Sequence, residues 1–258
     1  MKKFIKILCV IMSVAMVVSL ASCGSSSDDD TLTMATNANF PPYEYKEGED
    51  FKGIDVEIAT AIAEKLGKKL EIADVEFGSI IGGVQSGKYD MGMAGMTVTD
   101  ERKKSVNFST TYATGIQSVI VKSGSKVKSV DDISTMVKEG GKIGVQQDTT
   151  GDIYASDTEE NGGYGENNVI RYKNGADAVQ ALVSDKVGCV IIDNEPAKSF
   201  VAANKGLEIL QTEFTVEDYA IAIAKDNDDL LKDINKALDE LKKDGTIDKI
   251  VDKYIPSK

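Results

Sequence analysis

Short apolar runs alternate with amphipathic stretches along the chain from residue 31 onward. Residues 32–36 alternate apolar and polar positions as a strand does, and residues 54–66 place apolar side chains on one helical face that Gly67 ends. The same periodicities predict strands at 70–75, 89–96, 116–122, 142–147, 167–172 and 187–193 and around 207–225. They predict helices at 79–86, 130–139, 150–158, 175–184, 195–204, 228–243 and 246–254.

Regular alternation of strands with helices is typical of α/β proteins, in which helices cover both faces of mostly parallel sheets. Two such series between residues 31 and 258 predict two lobes rather than one wide sheet. Because ligands of open α/β sheets bind beyond the carboxyl ends of the strands, we expect two facing lobes to share one cleft.

Residues 1–22 have the pattern of a secretory signal peptide. A basic start with Lys2, Lys3 and Lys6 precedes an apolar stretch of 14 residues, Ile7–Leu20, which is short for a bilayer span. A short membrane anchor is the alternative interpretation.

A cysteine follows this signal. The run Leu20-Ala21-Ser22-Cys23 resembles the lipobox of bacterial lipoproteins, which implies cleavage before Cys23 and lipid on its sulfur. Acyl chains such as palmitate contribute about 0.8 kcal/mol per buried CH₂, so two or more of them hold a protein stably on a membrane. Residues 23–30 then form the lipidated cysteine and a polar flexible tether.

Composition narrows the possible functions. The net charge of −12 gives no electrostatic footprint for nucleic acid, so we expect no nucleic-acid partner. The absence of histidine excludes Ser-His-Asp and Cys-His catalysis and the HExxH zinc site. Residues 82–89 nearly match a phosphate-binding loop, but Tyr89 stands where a small hydroxyl must hold Mg²⁺. We therefore expect no cofactor and no metal.

One segment carries candidate binding chemistry. Residues 94–109 pass from a small-residue strand end through a turn into a short helix that carries Arg102. Exposed strand-end amides together with a planar guanidinium make a carboxylate receptor, because the guanidinium can bind two oxygens at once. From spacing alone, Arg102 is also consistent with a solvated charge that pairs with Asp100 or another neighbour.

The run Gly95-Met96-Thr97-Val98-Thr99-Asp100-Glu101-Arg102, followed by Val106, Phe108 and Ser109, resembles a motif of known transport proteins. These are the solute-binding proteins of polar amino acid ABC transporters, extracellular family 3. Residues 35–45, 53–59 and 86–90 resemble the family's first strand and loop, its first helix and the segment before the arginine motif. The resemblance covers essentially the whole chain after the signal.

The resemblance implies roles for particular residues. Arg102 would grip the α-carboxylate of an amino acid, with backbone groups of Gly95 and Thr97 contacting the amino and carboxylate groups. Thr150, mainly through its amide, would complete the carboxylate cage, and Asp193 would bind the α-ammonium. Without the family, a helix N-cap is the preferred interpretation of Asp193, and Thr150 can serve as a helix N-cap as well as a ligand contact.

For the side chain of the ligand, the resemblance implies an aromatic sandwich of Phe40 and Phe77, for which core packing is the alternative. Some members that bind basic amino acids carry an acid where this chain has Asn37. The amide favours a neutral polar side chain, although Asp148 or Glu44 could compensate.

The resulting prediction is a type II periplasmic-binding-protein-like fold with two α/β lobes and two crossing segments. We place the first lobe at residues 31–113 and 217–258, the second at 114–216, and the crossings near Thr111–Gly115 and Phe214–Tyr219. We expect a monomeric, lipid-anchored receptor on the extracytoplasmic face of the cell membrane that delivers an amino acid to the membrane subunits of an ABC permease. The alternatives are an enzyme on the same fold, such as a dehydratase, and a ligand-sensing domain.

Overall fold

The computed structural model describes residues 30–210 and 216–256. The predicted signal, Cys23 and the tether up to residue 29 lie outside the described residues.

Strands and helices alternate along most of the described chain. The strands are β1 (Thr31–Thr36), β2 (Asn39–Phe40), β3 (Glu44–Glu47), β4 (Asp50–Lys52), β5 (Lys69–Asp74), β6 (Met91–Gly92), β7 (Val106–Phe108), β8 (Ala113–Lys122), β9 (Ile143–Gln146), β10 (Val169–Tyr172), β11 (Cys189–Asp193), β12 (Leu207–Ile209), β13 (Val216–Tyr219) and β14 (Ala222–Ala224). The helices are α1 (Ile54–Lys65), α2 (Phe77–Gln85), α3 (Arg102–Ser105), α4 (Asp131–Lys138), α5 (Thr150–Ser156), α6 (Gly175–Val183), α7 (Asn194–Ala203), α8 (Asp228–Lys243) and α9 (Thr246–Tyr254).

Two main sheets organise the molecule. The first has the order β5-β1-β6-β14-β7, and the second has the order β10-β9-β11-β8-β12 with β13 also paired to β8. We call the bodies built around them the first lobe and the second lobe.

Each sheet is mixed rather than mostly parallel. The strands β5-β1-β6 and β10-β9-β11 pair in parallel, whereas β14 and β8 pair with their neighbours in antiparallel fashion. Parallel pairing needs a long crossover connection, and β8 and β14 each follow another strand with no helix between.

Residues 39–52 form a small third sheet, β2-β3-β4, that the sequence pattern did not predict. Its strands are two to four residues long and consist mostly of polar residues, so they leave no alternation of apolar positions. The strand expected at 89–96 is likewise reduced to Met91–Gly92, although the residues after it remain buried.

The chain crosses between the lobes along two antiparallel strands. Ala113–Ile116 of β8 pairs with Val216–Tyr219 of β13; residues 211–215 lie outside the described part of the second crossing. Gly115 is required here because a Cβ at this position would lie 2.0 Å from the Tyr219 hydroxyl oxygen. The two crossings therefore pack closely against each other.

Helices bury their apolar faces against the sheets. Helix α1 buries Ile54, Ile58 and Ile62, and the closing helix α8 buries Ile234 and Leu238. Cys189 is a buried free thiol, and burial raises its pKa to about 12, as expected for a small core residue. Over the residues that the structure describes, no helix combines the length and apolarity needed to cross a bilayer.

Candidate functional site

A cavity lies between the lobes. It is bounded by the carboxyl ends of β1, β9 and β11 and by the segment that follows β6. All eight residues predicted as ligand contacts line it: Asn37, Phe40, Phe77, Gly95, Thr97, Arg102, Thr150 and Asp193. The other lining residues are Glu44, Ala94, Gln146 and Thr149.

Arg102, the first residue of α3, is only 8% exposed. Its Nη1 donates to the Thr97 carbonyl oxygen at 2.7 Å and its Nη2 to the Asp148 carbonyl oxygen at 3.1 Å. The first contact lies within the first lobe and the second reaches the second lobe. The alternative of a solvated charge paired with Asp100 is wrong, because the Asp100 carboxylate instead pairs with Lys103.

The charge environment of Arg102 is set by burial and by acids. Burial lowers the pKa of Arg102 from its usual value, and the negative charges of Glu217 and Asp193 partly offset this effect. The guanidinium carbon also lies 5.2 Å from the centre of the Phe77 ring, within cation–π range. A buried cation therefore lines the cavity, and two hydrogen bonds and the Phe77 ring hold the plane of its guanidinium.

Asp193 ends β11 on the second lobe and is 7% exposed. Burial first, and then the nearby negative charge of Glu217, raise the pKa of Asp193 to about 7, while hydrogen bonds from Tyr219 and Gln117 oppose the rise. Although Asp193 occupies the N-cap position of α7, its side chain makes no capping hydrogen bond. The carboxylate instead accepts a hydrogen bond from the Tyr219 hydroxyl and lines the cavity.

The helix-cap alternative for Thr150 is also wrong. Thr149 is the N-cap residue of α5, and its side-chain oxygen accepts from the Asp152 amide at 3.3 Å. Thr150 is the next residue, 3% exposed, so its amide lies at the positive end of the helix beside the cavity. Helix geometry leaves the Thr150 and Gly151 amides without an intrahelical partner, whereas the Asp152 amide donates to Thr149.

Gly95 connects the cavity to the core of the first lobe. It has φ of 50°, and a Cβ there would lie 2.9 Å from Cε1 of Phe40. Its amide donates to Asp55 Oδ2 at 2.8 Å. This bond leaves the carbonyl as the hydrogen-bonding backbone group that Gly95 could offer an ammonium.

The two predicted aromatic residues differ in burial. Phe40 is 7% exposed and stacks on Tyr43 with ring centres 6.0 Å apart, so it serves both the core and the cavity wall. Phe77 begins α2 and is half-buried, and its ring lies against the Arg102 guanidinium. Neither ring is explained by core packing alone.

An amide pair spans the lobes at the Asn37 side of the cavity. The Asn37 Nδ2 donates to the Val75 carbonyl oxygen at 2.7 Å, and its Oδ1 accepts from Gln146 Nε2 at 3.0 Å. Glu44 also lines this cavity, but burial and the charge of Asp55 raise its pKa well above the usual range. This shift disfavours the charged form of Glu44 that would be needed to replace the acid missing at Asn37.

Glu217, a buried acid on β13, was not predicted from the sequence. It bonds to two residues that line the cavity, Thr97 and Thr150. Its Oε2 accepts from Thr97 Oγ1 at 2.8 Å, from Thr150 Oγ1 at 3.0 Å and from Gln117 Nε2 at 3.1 Å. The sequence does contain a signal for this residue. The alternation of side chains along β13 puts Glu217 on the same face as Tyr219, and that face is buried.

Several of these bonds join the two lobes, so the structure is closed around the cavity. Arg102 reaches Asp148, Gln146 reaches Asn37, and an ion pair of 2.7 Å joins Lys173 to Glu76 at the rim. Arrangements of this kind enclose a small solute and remove it from water.

Comparisons with known proteins agree with this architecture. A family model of the bacterial extracellular solute-binding proteins, family 3, matches residues 32–257. The arginine-binding extracellular protein ArtP of Bacillus subtilis (strain 168) is 32% identical over 262 residues, which cover 98% of either chain. An ancestral arginine-binding protein, solved bound to glutamine and bound to arginine, is 40% identical with a TM-score of 0.80 and matches 88% of this chain and 99% or 98% of its own.

These similarities confirm the two-lobed type II fold that the sequence predicted, with mixed sheets in place of mostly parallel ones. The family match spans nearly all of the described chain and includes every residue that lines the cavity. The chain belongs to the bacterial extracellular solute-binding proteins, family 3.

Proposed function

We propose that this protein binds a polar amino acid outside the cytoplasm and delivers it to the membrane subunits of an ABC permease. The observation that carries the proposal is that a buried cation, Arg102, and a buried acid, Asp193, line one small cavity from opposite lobes. A zwitterion is the small solute whose two charges such a pair satisfies at once.

In the proposed complex, the α-carboxylate lies against the Arg102 guanidinium and the amides of Thr97 and Thr150. The α-ammonium lies against the Asp193 carboxylate and the Gly95 carbonyl. Each charge-assisted hydrogen bond contributes about 1.5–3 kcal/mol net. Several of them together reach the order of −8 kcal/mol, which corresponds to micromolar binding.

Closure is the proposed signal to the permease. The first lobe, residues 31–113 and 217–258, carries Arg102, and the second lobe, residues 114–216, carries Asp193. Because neither lobe holds the full set of contacts, the ligand stabilises the closed form relative to the open one.

The side chain of the ligand would lie between Phe40 and Phe77 and extend toward the amide pair of Asn37 and Gln146. Burial disfavours the charged form of Glu44. The amide pair therefore sets the chemistry of this side of the cavity, and it favours a neutral polar side chain over a cationic one. The ancestral relative solved with either glutamine or arginine gives precedent for both kinds of ligand in this family.

The location outside the cytoplasm follows the family, and we propose that lipid on Cys23 anchors the protein to the cell membrane as a monomer. Metabolic labelling with a palmitate analogue tests this directly. Label and membrane association should both disappear in Cys23→Ala. Equal membrane association of the two proteins would contradict the anchor.

A thermal-shift screen of the twenty amino acids with ornithine, citrulline and cystine tests the function. A ligand present at 100 times its dissociation constant stabilises the folded state by about 2.7 kcal/mol, so a true ligand stands out. N-acetyl and carboxamide derivatives of the hit are the matched controls, since each removes one of the two charges. If no amino acid raises the unfolding temperature, or the derivatives act equally well, the proposal fails.

A separate experiment tests the alternative that the protein is an enzyme. Incubating the hit with stoichiometric protein, followed by mass spectrometry, should return the amino acid unchanged. Formation of a dehydrated or otherwise altered product would support the enzyme instead. Co-purification with a permease then separates delivery from sensing.

A further inference from the structure

Glu217 is a buried acid that the proposed ligand contacts leave unexplained. It is 3% exposed, lies on the crossing strand β13 and is absent from the cavity wall. Its Oε2 alone accepts three hydrogen bonds, from Thr97 Oγ1, Thr150 Oγ1 and Gln117 Nε2. Burying a carboxylate costs free energy unless it is well paired, so we looked for a function of Glu217 that these bonds serve.

The three donors come from different parts of the molecule. Strand β13 is joined to the first lobe by backbone bonds, from the Val98 amide to the Asp218 carbonyl at 2.9 Å and from the Ala220 amide to the Met96 carbonyl at 3.1 Å. Strand β13 also pairs with the other crossing strand, β8, which carries the third donor, Gln117. Glu217 is therefore held in the crossing beside Thr97 of the first lobe, whereas Thr150 begins helix α5 on the second lobe.

The bond between Thr150 Oγ1 and Glu217 consequently spans the cleft, at 3.0 Å. Moving the lobes apart separates this donor from its acceptor, because the hydroxyl is fixed to α5. The Arg102 guanidinium on the first lobe lies close enough for the Glu217 charge to act on it. The second lobe adds Tyr154, whose pKa is raised to about 12 by burial and by the negative charge of Glu217.

Both threonine hydroxyls are committed to this acceptor. Thr97 and Thr150 donate their side-chain O–H groups to Glu217, which leaves their backbone amides as the groups that can face a ligand carboxylate. The same acid thus orients two residues of the proposed carboxylate cage and connects the lobes.

We propose that Glu217 is a positioning residue that stabilises the closed form by joining the hydroxyls of Thr97 and Thr150 across the cleft. This inference rests on the proposed function, because closure matters only if the lobes open and close on a ligand. It assigns no ligand contact to Glu217.

The test compares Glu217→Ala, Glu217→Gln, Thr150→Val and the double variant Glu217→Ala/Thr150→Val. Nitroxide labels at cysteines introduced for the exposed Gln85 and Ser134, in a Cys23→Ser background, report the distance between the lobes with and without L-glutamine or L-arginine. Calorimetry with the same two amino acids and with the screening hit reports affinity. Asp218→Ala is the matched control, an exposed acid on the same strand.

Glu217→Ala should shift the distance distribution toward the open form and weaken binding by about ten- to a hundredfold, as loss of one bond to a charged group does. Glu217→Gln should lose less affinity than Glu217→Ala, because the amide oxygen of glutamine still accepts hydrogen bonds from both threonine hydroxyls. Thr150→Val should show the part of the Glu217→Ala effect that comes from the bond across the cleft. The double variant should fall short of the sum of the two single effects, since that bond is lost in both.

Three results would overturn the inference. They are an unchanged lobe distance in Glu217→Ala, tighter binding in that variant because repulsion of the ligand carboxylate is relieved, and an equal effect of Asp218→Ala. A wild-type protein that binds no amino acid would refute the proposed function instead, while the distances measured without ligand would still test Glu217.

Discussion

Replacing Arg102 removes the cation on which the proposed carboxylate site is built. A guanidinium has five N–H donors. In Arg102, bonds to the carbonyl oxygens of Thr97 and Asp148 hold the plane in place. A planar fork held in this way can present two further N–H groups side by side to the two oxygens of a carboxylate.

The expected loss follows from those two bonds. At about 1.5–3 kcal/mol each, their removal in Arg102→Ala costs about 3–6 kcal/mol of binding free energy. At 1.4 kcal/mol per factor of ten, affinity should fall by roughly two to four orders of magnitude. Titration calorimetry with the amino acid found by screening measures this directly.

A second variant is needed to separate the loss of binding from a loss of stability. Arg102→Ala leaves the buried acids Glu217 and Asp193 without their neighbouring cation, so we expect the unfolding temperature to fall as well. Arg102→Lys keeps the positive charge but loses the planar fork, so it should fold more like the wild type and still bind weakly. Lys103→Ala, an exposed cation on the same helix, should change neither property. Wild-type affinity in Arg102→Lys would refute the two-point grip, and wild-type affinity in Arg102→Ala would refute the site.

Three further predictions address the rest of the cavity. Because burial raises the pKa of Asp193 to about 7, the ligand-free protein holds a proton there at lower pH that an ammonium must displace. Affinity should therefore rise with pH up to about 7, by at most about tenfold per unit, and calorimetry on Asp193→Asn should show weak binding without this slope. Gly78 lies on α2 where a Cβ would be 2.0 Å from Asp148 Oδ2 on the other lobe, so Gly78→Leu should obstruct closure and weaken binding. The same change should not lower the unfolding temperature of the ligand-free protein, because leucine favours the helix by up to about 1 kcal/mol over glycine; a lower temperature with normal affinity would contradict this. Phe77→Ala should weaken binding about tenfold by removing the ring that packs against Arg102, with a small effect on stability because the ring is half-buried, and equal affinity would exclude Phe77 from the site.

Much of the fold was predictable because its signals are local. Helices α8 and α9 begin and end at the predicted residues, since each carries a strong apolar stripe over several turns. The sheet β2-β3-β4 was not predictable, because strands of two to four mostly polar residues have no periodicity to detect. The direction of β8 and β14 also depends on where the chain crosses between lobes, which periodicity does not encode.

The cavity also combines features that the sequence predicts with features that it does not. The residues implied by family resemblance converge on one cavity, and their role as ligand contacts stays a prediction. The partners of those residues could not be read from sequence, because they lie far away along the chain. The bond from Gln146 to Asn37 joins residues 109 positions apart, and the bond from Thr97 to Glu217 joins residues 120 apart. The first of these contacts exists only once the lobes have closed, and the second only once the chain has returned to the first lobe.

A crystal structure with the amino acid identified by screening would show which protein groups hold its two charges. We predict one ligand between the lobes, with its carboxylate within hydrogen-bonding distance of the Arg102 guanidinium and its ammonium within hydrogen-bonding distance of the Asp193 carboxylate. A ligand bound in the reverse orientation, or outside this cavity, would contradict it.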